Sequence, residues 1–165
     1  METHMSKFAM PRLSAYLVCR DAAKAIDFYV AALGAQVLAR LDGPDGKLFH
    51  ATLGVNDGAV VMVAEERPQW GALSPASFNG TAVTLHLDVK DCDAALKRAT
   101  DAGVRVVMPA GDMFWGDRYA LVEDPFGHRW SFGQKLRDVS PAEMEATARE
   151  MFKQAAGCAG AEKEA

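Results

Sequence analysis

The stretch "LVCRDAAKAIDFYVAALGAQV", residues 17–37, returns seventy residues later as "LDVKDCDAALKRATDAGVRV", residues 87–106. Asp21 aligns with Asp91, and Ala25-Ile26 with Ala95-Leu96. Each copy reads as a short alternating strand, then an Asp at a helix N-cap, whose carboxylate can accept from the backbone N–H groups left open by the first turn. Apolar residues follow at helical spacing: Ala22, Ala25, Ile26, Tyr29 and Leu33, against Cys92, Ala95, Leu96 and Ala99. Each helix stops at a glycine, Gly34 or Gly103, the residue that most easily takes the left-handed cap. A repeat of this kind predicts one structural unit built twice.

Beyond each helix the pattern predicts three strands, 36–42, 47–55 and 59–64 in the first copy and 104–108, 117–123 and 128–134 in the second. "GPDGK", 43–47, is a hairpin turn, because Pro presets one dihedral and Gly permits a positive one. The expected fold class is therefore α+β: two βαβββ modules forming a curled mixed sheet, a half-open barrel with helices outside and a concave inner face for a ligand. Module one covers 11–64, the linker 65–80 and module two 81–135, together one domain over 11–135. A C-terminal helix is expected within 136–154, started by the capping box of Ser140, Pro141 and Glu143. Its residues Met144, Ala148, Met151 and Phe152 form one burial face, for the core or a partner subunit. Residues 1–10 carry no fold pattern and read as a disordered lead or an expression remnant, and 155–165 read as a flexible tail.

The two copies also share a turn. "LGVNDGAVVMV", from Leu53, matches "LVEDPFGHRWSF", from Leu121, so Asn56-Asp57-Gly58 stands where Asp124-Pro125-Phe126-Gly127 stands. Asp124 is then a turn former whose carboxylate bonds nearby amides, and His128 a solvated residue opening the last strand.

Composition narrows the function classes. With 165 residues and 50% hydrophobic content the chain can bury a core as a single domain. A net charge of −4 and the lack of a basic stripe argue against nucleic acid. Three widely spaced cysteines, Cys19, Cys92 and Cys158, give neither a disulfide framework nor a metal knuckle, which suits a reduced cytoplasmic setting. No apolar run is long enough to cross a membrane as a helix. Nucleophile-elbow, phosphate-loop and nucleotide fingerprints are missing, which argues against hydrolase and kinase readings.

Over residues 12–135 the chain resembles the vicinal oxygen chelate superfamily, the glyoxalase/bleomycin-resistance fold, and most of all its PhnB-like or glyoxalase-like branch. The residues that carry this are "DAAKAIDFYVAALGA", "PDGKLFHATLGVNDGAVVM" and "FWGDRYALVEDPFGHRWSF". The resemblance implies a homodimer and a pocket on each concave sheet. Metal-using members place ligands on the first and last strand of each module, positions that fall here at Ser14, Met62, Thr84 and Ser131. Two serines, a threonine and a thioether offer neither an anionic oxygen nor a ring nitrogen, so a metal-free member with no cofactor is expected.

Strand alternation nominates the pocket wall. If Ser14 faces inward so does Tyr16, and Thr84, His86 and Asp88 share one face of the fifth strand. His86 can serve as a general base or a hydrogen-bond donor, unless Asp88, Tyr16 or a carbonyl already satisfies it. His50 can reach the pocket or solvent. "MFWGDRYA", 113–120, offers Phe114, Trp115 and Arg118, an arginine beside aromatic faces that can stack on a planar ligand or pair with an anion. The plainer reading is an Asp117–Arg118 surface pair with Trp115 plugging the barrel end. Trp70, with Phe78 in the long linker, fits a lid or a dimer contact equally well. Met62 and Met108 suit a soft, adaptable wall.

The favoured expectation is a metal-independent binding protein that holds a hydrophobic or aromatic small molecule. A metal-free lyase or isomerase is the alternative, with His86 as base and Arg118 or Thr84 steadying an oxyanion. A metal-dependent glyoxalase-type lyase or dioxygenase would need displaced ligands such as His50, His86 and Glu123.

Overall fold

The structure, a computed structural model, describes residues 11–56 and 58–161. The expected lead, 1–10, and the last part of the expected tail, 162–165, lie outside the described residues. Module one runs β1 (Ala15–Cys19), α1 (Ala22–Leu33), β2 (Gln36–Asp42), β3 (Leu48–Val55) and β4 (Ala59–Glu65). The linker holds a single 3-10 turn, Pro68–Trp70, and the short helix α2 (Pro75–Phe78). Module two repeats the order as β5 (Thr84–Asp88), α3 (Cys92–Asp101), β6 (Arg105–Asp112), β7 (Asp117–Glu123) and β8 (Arg129–Lys135). The helix α4 (Pro141–Ala161) ends the described chain.

Each module folds its own four-stranded mixed sheet, ordered β1-β4-β3-β2 and β5-β8-β7-β6, and neither sheet closes. The first strand lies parallel to the last in each, β1 with β4 and β5 with β8, and the remaining pairs are antiparallel. The expected caps hold: Asp21 accepts from the Lys24 amide and Asp91 from the Ala94 amide. Gly34 takes the left-handed cap at φ 67, and Gly103 does so one residue beyond the cap of α3, at φ 106.

The core lies between each sheet's convex face and its helix, and it is continuous across the modules. Leu17, Ala25, Ile26, Tyr29, Leu53 and Val63 from module one join Leu87, Ala95, Ala99, Val122, Trp130 and Phe132 from module two. Burying the leucine, isoleucine, valine and phenylalanine side chains among these stabilises by roughly 1.5–3 kcal/mol each. α1 and α3 pack together, and Arg98 donates to the Ala32 carbonyl at the end of α1.

Side chains from the hairpin turns also cross between modules. Asn56 donates to the Asp88 carbonyl on β5, and His128 donates from Nε2 to the Val18 carbonyl on β1, 3.2 Å away. Val18 and Asp88 are seventy residues apart, so the two bonds are copies of one device. They satisfy carbonyls on strands that are the sheet edges and have no neighbour there.

His128 corrects an expectation. It is buried rather than solvated, 3.7 Å from the Cys19 thiol, because its turn folds against β1 instead of pointing away from it. Asp124 is the turn former expected, and more. Its Oδ1 accepts from the Phe126 and His128 amides, and its Oδ2 from the Tyr29 hydroxyl at 2.8 Å and the Trp130 indole at 3.0 Å. A buried carboxylate with four donors is a structural joint, and it ties α1 to the last hairpin.

α4 extends to Ala161, beyond the end expected near Gln154, with Ser140 accepting from the Glu143 amide at its start. Met144, Met151 and Phe152 stay exposed, so the stripe does not meet its own core. No helix among the described residues is long and apolar enough to cross a membrane.

Candidate functional site

The concave faces carry the polar chemistry. On module one, Tyr16 of β1 stands in register with Met62 of β4, and Met62 with Thr52 of β3. The Tyr16 hydroxyl is 3.0 Å from His50 Nδ1, and His50 Nε2 is 3.0 Å from the Thr52 hydroxyl. Both ring nitrogens of His50 are therefore engaged, and Tyr16 and His50 meet edge to face.

On module two, His86 of β5 is in register with Ser131 of β8, and its Nδ1 is 2.8 Å from the Ser131 hydroxyl. Its Nε2 lies 3.5 Å from the exposed Asp88 carboxylate. The ring stacks on Tyr119 of β7, with planes 14° apart and centroids 6.2 Å apart. Trp115 meets Tyr119 edge to face, and Phe114 meets Trp115, so four rings run in series from the loop to the sheet. Gly133 makes room for this. A Cβ there would stand 2.7 Å from His86 Cε1 and 2.9 Å from Nε2, closer than carbon atoms approach.

The two faces are related. Tyr16 and His86 occupy equivalent positions on the first strands. His50 immediately precedes Ala51, which pairs with Val63, and Tyr119 immediately precedes Ala120, which pairs with Phe132 at the matching place. Each module thus carries one Tyr and one His on its concave face, with the order exchanged. Alternation found the first-strand members. Tyr119 went unnoticed, although its parity with Asp117, Leu121 and Glu123 in β7 was a usable signal.

Other nominated residues lie elsewhere. Arg118 has the opposite parity to Tyr119, and Asp93 of α3 (Nε at 2.6 Å, Nη2 at 2.9 Å) and Asp112 (2.6 Å) take up its guanidinium. These two carboxylates hold its pKa above its ordinary value. Trp70 packs edge to face on Phe49 with the Arg67 guanidinium over its ring, 5.0 Å from the centroid. Phe49 leaves β3 on the face opposite His50, so Trp70 is not brought to the pocket pairs. Phe78, its companion in the linker, instead lines a cavity with Tyr16.

The positions at which the resemblance places metal ligands can be tested on their own donors. Ser14 carries a buried hydroxyl with no hydrogen-bond partner among the described residues. Ser131 is bonded to His86, and Met62 contributes only a thioether. Neutral hydroxyls and a thioether do not fit zinc, nickel or iron. Of the displaced candidates, Glu123 is held by Arg105 at 3.0 Å and Arg129 at 3.5 Å, which keep its carboxyl below the usual range. No group of three His, Cys, Asp or Glu side chains gathers at metal-binding range among the described residues. The buried Cys19 thiol is no nucleophile either, since burial pushes its pKa up to about 12.

Comparison with known proteins agrees with this fold. Residues 9–132 match the family model described as the Glyoxalase/Bleomycin resistance protein/Dioxygenase superfamily. An uncharacterised protein of Mycobacterium tuberculosis strain H37Rv is 51% identical over 139 residues, 82% of this chain and 81% of that protein. A lactoylglutathione lyase of Neisseria meningitidis is 33% identical over 113 residues, 68% of this chain and 81% of the lyase. The crystal structure of TioX from Micromonospora sp. ML1 superposes with a TM-score of 0.60 at 32% identity, covering 76% of this chain and 99% of TioX. The chain belongs to the glyoxalase/bleomycin resistance protein/dioxygenase superfamily.

Proposed function

We propose that this chain is a metal-independent, cytoplasmic small-molecule-binding protein that holds a flat, largely apolar ligand against its concave faces and acts as a homodimer. One observation carries the reading: the positions where metal-using members hold their ion bear Ser14, Met62, Thr84 and Ser131, while the same faces carry ordered Tyr–His pairs. Tyr119, Trp115 and the His86 ring offer flat surfaces on which a planar molecule can stack. The test is calorimetric titration of the protein, as purified and after metal-chelator treatment, with a panel of planar aromatic compounds. Saturable binding that chelation leaves unchanged supports the reading. Binding or lyase activity that disappears with chelation and returns with nickel or zinc overturns it.

A second reading has an observation of its own. Ser131 orients His86, whose Nε2 stays on the open face beside Asp88, an arrangement suited to a general base in a metal-free lyase or isomerase. Arg118 is engaged by Asp93 and Asp112, which leaves Thr84 as the partner for an oxyanion. Turnover lost in His86→Ala, with planar-ligand binding retained, favours this second reading.

A further inference from the structure

We infer that Arg129 is an anion-recognition residue, and that the ligand is an amphipathic carboxylate whose apolar body lies between Tyr16, Phe78 and Val83. This rests on the small-molecule-binding reading and names where the ligand's charge goes. A cavity of about 760 Å³ runs along the unpaired edge of β1, between that strand and the 73–83 segment, with Arg129 in its wall. Tyr16 is 54% exposed, Phe78 66% and Val83 62%, so three of the large side chains that line it leave over half their surface to solvent. Leu73, Pro75 and Leu85 complete an apolar lining.

One guanidinium beside this lining is only partly paired. Glu123 is shared by two guanidiniums, Arg105 at 3.0 Å and Arg129 at 3.5 Å, so Arg129 is the more loosely held of the two. Arg129 reaches Glu123 through Nε alone, and its terminal amino groups have no partner among the described residues. A guanidinium edge of this kind donates two parallel hydrogen bonds to a carboxylate. An apolar wall beside a guanidinium with open N–H donors selects a molecule with an apolar body and a single negative end. Arg129 also shares its sheet face with Ser131 and His86, so a ligand anchored there can extend toward the stacked rings.

The experiment is calorimetric titration of the full chain at neutral pH with 2-naphthoate and with its neutral isostere 2-naphthamide. Saturable naphthoate binding is expected, with naphthamide weaker by roughly tenfold or more, the loss of a charge-assisted contact. Arg129→Gln, checked for folding by its circular dichroism and melting curve, should bind the two probes equally, and Arg129→Lys should restore part of the preference. Equal affinities in the parent protein, or a preference that survives in Arg129→Gln, overturn the assignment while the small-molecule-binding reading stands. If a second copy of the chain covers the cavity, neither probe binds and the assignment falls. In that case binding of other planar compounds decides the broader reading separately.

Discussion

Asn56 and His128 stand at equivalent hairpin turns of the two modules, and each donates a side-chain hydrogen bond to the first strand of the other. The carbonyls that accept them, Asp88 and Val18, are themselves equivalent positions. Duplication has therefore produced a reciprocal clasp, in which each module satisfies an edge carbonyl that its neighbour's sheet leaves open.

Removing one side of the clasp should cost stability and leave the sheets intact. Asn56 sits at φ 53, where a glycine is comfortable and most residues are not. Asn56→Gly keeps the turn and removes only the donor, so a loss of roughly 0.5–1.5 kcal/mol in urea unfolding is expected. Asn56→Ala adds strain in the left-handed region, about 1 kcal/mol more. Equal unfolding midpoints for parent and Asn56→Gly would show that the bond contributes nothing.

The buried Asp124 joint should be the more sensitive point. Asp124→Asn turns an amide N–H₂ toward donors from Tyr29 or the backbone, and it should lower stability by about 1–3 kcal/mol. Tyr29→Phe removes one of the four bonds and should cost about 1 kcal/mol. Ligand binding by the folded fraction should not change. A folded Asp124→Asn protein without binding would move Asp124 into the functional site.

Two acid-sensitive steps follow from His128 and Glu66. Burial holds the His128 pKa below its ordinary 6.5, so as the pH falls the unfolded chain takes up the proton first. Stability should begin to decline below about pH 6.5, and His128→Gln should flatten that limb. Glu66 accepts from Ser77, from the amide and hydroxyl of Ser74 and from Arg20, which hold its pKa at about 2 against an ordinary 4.5. Its contribution is complete above pH 4.5 and is lost as the pH falls toward 2, so Glu66→Gln should flatten only this lower limb. Urea midpoints measured from pH 8 down to 3 (about one reading per unit) separate the two. A flat profile between pH 7 and 5 in the parent would contradict the His128 assignment.

Gly133 gives a steric test of the stacked rings. Its φ is not in the left-handed region, so Gly133→Ala strains no backbone and acts only by evicting the His86 ring. Planar-ligand affinity should fall by about tenfold, as is expected for His86→Ala, and Trp115→Ala should weaken binding in the same direction. Affinity unchanged in all three variants would remove this face from the binding site.

The repeat at 17–37 and 87–106 was enough to predict two βαβββ modules, the Asp21 and Asp91 caps and nearly every strand boundary, because those features rest on local periodicity and turn chemistry. It also placed Tyr16 and His86 on the inner faces, since alternation along a strand is itself local. Partners across strands were not legible. That His86 rests over Gly133 and on Tyr119 depends on the β5–β8–β7 register, which no single stretch contains. Arg118 read either as a ligand contact beside Trp115 or as a surface pair with Asp117; it leaves β7 on the face opposite Tyr119, where α3 brings Asp93, and Asp112 is its other partner. His128 looked like a solvated turn residue until packing set its turn on β1. The sequence by itself determined the modules, their order and the donor chemistry of each position, since these are properties of residues and their near neighbours. Only the tertiary structure decided which side chains meet, because contacts between residues tens of positions apart are set by register and by one module folding against the other.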